Sequence, residues 1–344
     1  MRIERVIVRG LRALRARDDR LVDPRGQPFP AVCLRGLNGA GKTTYLEALA
    51  ELWQWFRRCA QQRGFAKPTG TTLLAEAQLV AALFTGLPGP KPRMWIAWGH
   101  GDAMRDALAG HPDSPYLFRG ELGSRGEQAS WDVGVLDWWE KSFAIAETGN
   151  ESPKVTPNFV WIEADNKHVP ELRSKELLTP RPAPSFVAVA RYLPGARGPS
   201  HLEGLLRTLF LARHERWEML ANALSELRPG LTLLDRFDEA TQRPLFRLST
   251  GEILSLDRLS AGEHSLLINL AMILRWLGPG GIVLLDEPEL HQHLSLMRGS
   301  LAVIDALIES KEFEGQLFVA SHSPEVWDHF RRTDAILDLG GATP

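Results

Sequence analysis

The chain has only two cysteines, Cys33 and Cys59, in 344 residues, too few for a disulfide framework. Cys33 lies in an apolar run and reads as a small core residue. There is no stretch of about 18 apolar residues, so no membrane-crossing helix is expected. The N-terminus, Met1-Arg-Ile-Glu-Arg-Val-Ile-Val-Arg-Gly10, lacks the apolar segment of a secretory leader. The expected compartment is the cytoplasm, with no membrane insertion. Charge of one sign is also missing: the net charge is −2, so no global basic field advertises nucleic acid, and only a local basic patch could serve it. What remains is an ordinary globular composition, 44% hydrophobic and 24% charged, with ample material for a core. The length suggests about two domains, or one domain with a large insertion.

The most informative stretch is Gly36-Leu-Asn-Gly-Ala-Gly41-Lys42-Thr43-Thr44. It fits G-x-x-x-x-G-K-[ST], the phosphate-binding P-loop. Phosphate oxygens need a row of backbone N–H groups, and glycine lets the backbone approach closely with φ > 0. Lys42 brings positive charge to the β- and γ-phosphates, and the Thr43 hydroxyl suits a Mg²⁺ shell. Pro30–Arg35 reads as a buried strand before the loop. Residues 45–60 read as the helix after it, whose N-terminus attracts phosphate.

Residues 3–9 read as a strand. Arginines recur at Arg2, Arg5, Arg9, Arg12, Arg15, Arg17 and Arg20. A phosphate-facing ridge is one reading; a solvated face balanced by Glu4, Asp18 and Asp19 is the favoured one. Thr72–Phe84 is apolar and undecided between helix and strand. Arg93–Trp98 and Asn158–Glu163 read as strands, and Trp131–Phe143 as a helix. The tryptophans of this middle region suit a satellite core better than a partner patch. His100, Asp102 and His111 have no metal-site spacing and read as surface polar groups. Ser185–Ala190 reads as a strand and His201–Leu227 as helical. Leu245–Ser249 and Glu252–Leu256 form a hairpin turning at Thr250-Gly251.

Four further motifs follow. Leu259-Ser260-Ala-Gly262-Glu263 opens an apolar helix to about Leu277, and Ser260 with Glu263 makes a capping box. Gly281-Ile-Val-Leu-Leu-Asp286-Glu287-Pro288 is an apolar strand ending in two carboxylates, at the place where open α/β sheets put ligands. Glu289-Leu-His291-Gln-His293 comes directly after it. Gln316–Ala320 is a last buried strand, ending at Ser321-His322-Ser323-Pro324. A carboxylate at such a strand end can hold Mg²⁺, and its neighbour can activate water.

Together, in this order, these motifs resemble the ATP-binding-cassette class of P-loop ATPases, over roughly residues 1–60 and 185–335. Leu-Ser-Ala-Gly-Glu and Asp-Glu-Pro-Glu-Leu-His point to the SMC/RecF/OLD branch rather than to transporter cassettes. The resemblance implies an α/β fold: a mixed central sheet flanked by helices, with an inserted α+β region. Residues 1–98 would be the P-loop half, 99–184 the insertion, and 185–344 the signature, Walker B and switch-histidine half of one ATPase domain. ATP and Mg²⁺ would be the cofactors. Lys42 would hold the β- and γ-phosphates, with Gly36, Asn38, Gly39, Ala40, Gly41 and Thr44 lining the nucleotide. Thr43 and Asp286 would serve Mg²⁺, Glu287 would polarise the attacking water, and His322 would sense the γ-phosphate. Ser260 and Gly262 would act in trans, closing over the nucleotide of a second subunit in a head-to-tail homodimer.

Departures from the family pattern narrow the expectation. Gln78 is the one candidate for a glutamine loop. Residues 60–185 are too short and too rich in Gly and Pro for long coiled coils, and there is no C-x-x-C hook. The chain ends about twenty residues past His322, which leaves no room for an appended nuclease. The resemblance therefore implies a stand-alone ATPase of the kind found in bacterial anti-phage defence, acting with a separate nuclease or toxin. The rival readings are a repair or chromosome-maintenance ATPase that binds duplex DNA, a transporter's ATP-binding subunit and an inert nucleotide-binding scaffold. Intact Lys42, Asp286, Glu287 and His322 argue against the last.

Overall fold

The computed structural model describes residues 1–68, 72–108, 117–123, 126–148, 156–166, 169, 186–194, 201–212, 214–239, 243–331 and 335–340. The chain opens with β1 (Arg2–Leu11) and β2 (Leu14–Arg20), then β3 (Ala31–Gly36), which feeds α1 (Lys42–Gln62). Next come α2 (Leu73–Glu76), β4 (Leu79–Thr85), β5 (Arg93–His100) and α3 (Gly101–Leu108). They are followed by β6 (Leu117–Gly123), β7 (Gly126–Ser130), α4 (Val133–Thr148), β8 (Phe159–Ile162) and β9 (Val189–Arg191). Helices α5 (Leu202–Ala212) and α6 (His214–Leu227) precede β10 (Leu231–Phe237), β11 (Pro244–Leu248) and β12 (Ile253–Ser255). The chain continues with α7 (Ala261–Trp276), β13 (Ile282–Asp286) and α8 (Leu294–Glu309). It closes with β14 (Gln316–Ser321), α9 (Pro324–Phe330) and β15 (Ile336–Gly340).

Two six-stranded sheets organise these elements, in the orders β2-β1-β4-β5-β6-β7 and β15-β3-β14-β13-β8-β9. The second is parallel in every described pairing. The first is the mixed one, antiparallel except where β5 meets β6. The parallel strands are apolar on both faces because both are covered. Their side chains alternate between two cores: Val32, Leu34, Leu284 and Phe318 face one, and Cys33, Val283, Leu285 and Val319 the other. The first core is shared with β1 and β4 and holds α1 between the two sheets. That position explains why α1 is apolar nearly all round, with Leu46, Leu49, Leu52, Trp53, Trp55 and Phe56 fully buried. The second core is roofed by α5, α6, α7 and α8.

Several expectations are refined. The undecided stretch from Thr72 is both: one helical turn, then β4. The helix read over His201–Leu227 is helical over α5 and α6, and residue 213 between them lies outside the described residues. The strand read over Ser185–Ala190 is the shorter β9; residue 185 lies outside the described residues, as does His111. Phe159–Ile162, inside the span expected as an insertion, is a central strand beside β13. The tryptophans divide between cores: Trp95 joins a small separate cluster with Ile7, Leu79, Leu83 and Met104, while Trp98 and Trp139 join the core around α1. Trp139 packs edge-on against Trp53 with centroids 5.5 Å apart, and Phe143 joins them, so α4 completes the core around α1. The arginine ridge is neutralised in part: Arg5 pairs with Asp18, Arg17 with Asp19 and Arg12 with Glu76, while Arg15 and Arg20 are exposed. His100 is exposed, and Asp102 is exposed and paired with Arg105.

Candidate functional site

The P-loop joins β3 to α1. Gly39 and Gly41 have φ of 82° and 94°, the left-handed region that side chains resist. A side chain at Gly41 would also meet Leu14 at 2.9 Å. No side-chain cap closes α1 at Gly41, so its first-turn N–H groups and the positive end of its dipole face the loop. Lys42 is buried, 5% exposed, and donates to the carbonyls of Gly36 and Leu37 at 2.9 and 3.3 Å. Asn38 and Gly39 are exposed, while Ala40 and Thr44 are partly buried.

Sheet order brings distant residues to this loop. β14 lies between β3 and β13, and all three strands run the same way. Their C-terminal ends therefore lie side by side, at the ligand position of such sheets. Thr43 Oγ1 donates to Asp286 Oδ2 at 2.7 Å, and Asp286 is 2% exposed. Hydroxyl and carboxylate oxygens side by side are hard donors of the kind Mg²⁺ prefers. Glu287, just past the strand, is held at φ 44° with its N–H on the Ala320 carbonyl. Its carboxylate meets Lys42 Nζ at 3.3 Å and His322 Nδ1 at 2.5 Å. Burial opposes ionisation of Glu287, but hydrogen bonds with Glu289 and His322 and the Lys42 charge hold its carboxyl below the ordinary value. The site thus places an ionised acceptor beside a phosphate-type cradle.

Ser260 and Gly262 are elsewhere. No hydrogen bond or ion pair among the described residues links either to the P-loop. Ser260 caps α7 in a full capping box with Glu263, and Arg228 pairs with Glu263 at 2.9 Å. A side chain at Gly262 would meet the His291 carbonyl at 2.7 Å. The helix start is therefore packed within this chain against the loop that follows β13. Gln78 sits at the head of β4, its side chain over Gly10 and its backbone bonded to Arg9 and His100. Sequence reasoning passed over two residues: Glu289, and Ser321, whose Oγ donates to Glu289 at 2.5 Å. The signal available was a second carboxylate two positions past Glu287, across Pro288.

The parallel order around β3, β14 and β13, the P-loop and acidic pair at their ends, and the separate mixed sheet define the fold of the P-loop, ABC-type ATPases. Within it, the chain is similar to SMC head domains. An SMC head bound to the C-terminal winged-helix domain of ScpA superposes with a TM-score of 0.50 at 14% identity, covering 96% of this chain and 92% of that one. An SMC head from Thermotoga maritima gives 0.47 at 14%, covering 96% and 92%. A Pyrococcus furiosus SMC head with an extended coiled coil, bound to the C-terminal domain of ScpA, gives 0.48 at 11%, covering 95% and 91%. The likeness in fold rests on the first. No protein-family model matches the chain, and no curated protein matches it. Among the described residues no helix is long and apolar enough to cross a membrane.

Proposed function

We propose that this chain is a Mg²⁺-dependent ATPase of the cytoplasm, and that two copies close head to tail around nucleotide. The observation that carries the reading is the convergence of Lys42, Thr43, Asp286, Glu287 and His322 at neighbouring strand ends. The triphosphate lies along the loop from Gly36 to Thr44, against its backbone amides. Lys42 exchanges its contacts with Glu287 and the loop carbonyls for phosphate oxygens, which leaves Glu287 free to accept a proton from water. His322 orients Glu287 from the opposite side. Thr43 and Asp286 would hold Mg²⁺, which supplies charge neutralisation for the phosphates when bound. Gly262, beside the Ser260 cap at an exposed helix start, presents its N–H and the helix dipole to the nucleotide of a second copy.

We further place the chain as the ATPase subunit of a bacterial anti-phage system, acting with a separate effector. Support comes from an SMC head that binds a separate protein, ScpA. The paired arginines on β1 and β2 give the DNA-binding alternative no added support. Lys42→Ala is expected to abolish nucleotide binding in calorimetric titration; retained ATP affinity would sink the assignment. Steady-state hydrolysis with and without duplex DNA, at low and moderate salt, separates the two roles. Stimulation that fades with salt marks direct phosphate contacts.

A further inference from the structure

Glu289 has no part in the scheme above, yet it is built into the site. It follows Pro288 in the turn after β13, and its side chain is largely buried, 14% exposed. Oε1 accepts from Ser321 Oγ at 2.5 Å and lies 3.5 Å from His322 Nδ1. Ser321 is the last residue of β14, and its Oγ also accepts the Ser323 N–H at 2.9 Å. The carboxyl therefore ties the turn carrying Glu287 to the strand end carrying His322. Glu287, Glu289 and His322 place their reactive atoms within 4.8 Å of one another.

We infer that Glu289 is a positioning residue: it fixes the Glu287–His322 pair by bonding across from the β13 turn to Ser321. The inference rests on the ATPase reading. Two adjacent carboxylates do not both ionise readily. Burial, and then the hydrogen bond with Glu287, push the Glu289 carboxyl up to about 7, while that of Glu287 is held low. Glu289 accepts from Ser321 on Oε1. With the end of β14 held in this way, His322 Nδ1 is placed against Glu287 at 2.5 Å and near Glu289 at 3.5 Å. A glutamine keeps an oxygen that can accept from Ser321; an alanine has none.

The test compares Glu289→Ala, Glu289→Gln and Ser321→Ala with the parent protein by steady-state ATPase kinetics and nucleotide titration. It also follows the ¹⁵N-histidine signal of His322, assigned with His322→Gln. Glu289→Ala is expected to lose about 10²-fold in kcat, the scale of a small misplacement of reacting groups, with KM and ATP affinity unchanged. Glu289→Gln is expected to recover most of that loss, and Ser321→Ala to fall between. The His322 signal should shift in the alanine variant and stay near the parent position in the glutamine variant. Unchanged kcat in Glu289→Ala overturns the inference, as does a glutamine variant as slow as the alanine one. If Glu289→Ala fails to fold, the glutamine and Ser321→Ala variants decide. A parent protein that neither binds nor hydrolyses ATP overturns the ATPase reading instead, while the histidine signals still report the contact.

Discussion

At the scale of single residues, burial sets the chemistry more strongly than nominal charge. Cys33 is fully buried, and desolvation pushes its thiol up to about 12, so it is an inert core residue. Glu203, near the start of α5, shows the same effect on a carboxyl. Burial raises it from 4.5 to about 7, against the pull of Arg243, which lies 3.3 Å away. The folded state thus holds this proton more tightly than the unfolded chain does. Its contribution to stability is complete below pH 4.5 and is lost as pH rises through about 7. The Tm measured across that window should fall less steeply in Glu203→Gln than in the parent. Equal slopes would mean that Glu203 is ionised throughout.

At the scale of elements, α7 is placed by its first turn. Ser260 and Glu263 cap each other, Arg228 holds Glu263, and Gly262 lies under the His291 carbonyl. His291 itself sits at φ 66°, so its backbone is poorly free to yield. Gly262→Ala should therefore destabilise the nucleotide-free protein by about 1–3 kcal/mol, the cost of overpacking, seen in urea unfolding. Parent-like stability would confine Gly262 to an intermolecular role. The capping box was legible in the sequence because it spans four residues. So was the hairpin, whose turn glycine, Gly251, has φ 88°. The close approach of Gly262 to His291 was not, because it depends on how α7 and the turn after β13 pack. The helix state of Leu73–Glu76 was hidden too, because short apolar runs have no decisive period.

At the scale of the whole molecule, one helix is sandwiched between a mixed and a parallel sheet, and the parallel strand ends gather the site. A second copy is the natural lid in the proposed mechanism, because Ser260 is exposed and Leu37 of the P-loop is 73% exposed. Glu287→Gln should slow hydrolysis by about 10²–10⁴-fold, the worth of a positioned general base. It should also accumulate a dimer at saturating ATP, measured by light scattering. A variant that stays monomeric there would count against closure by two copies alone.

The sequence by itself determined what short-range forces control. It placed the P-loop and its left-handed glycines, the α7 cap, the buried strands at β3, β13 and β14, and the carboxylates and histidine that end two of them. Hydrogen bonds within a few residues and short continuous apolar runs suffice for these. Only the tertiary structure decided which ends meet. Thr43 reaches Asp286 across 243 residues, and His322 reaches Glu287 across 35. Trp139 closes on Trp53, and β8 enters the parallel sheet beside β13. Those contacts follow from strand order and from burying both faces of the parallel sheet, a balance struck over the whole core rather than along any one stretch of chain.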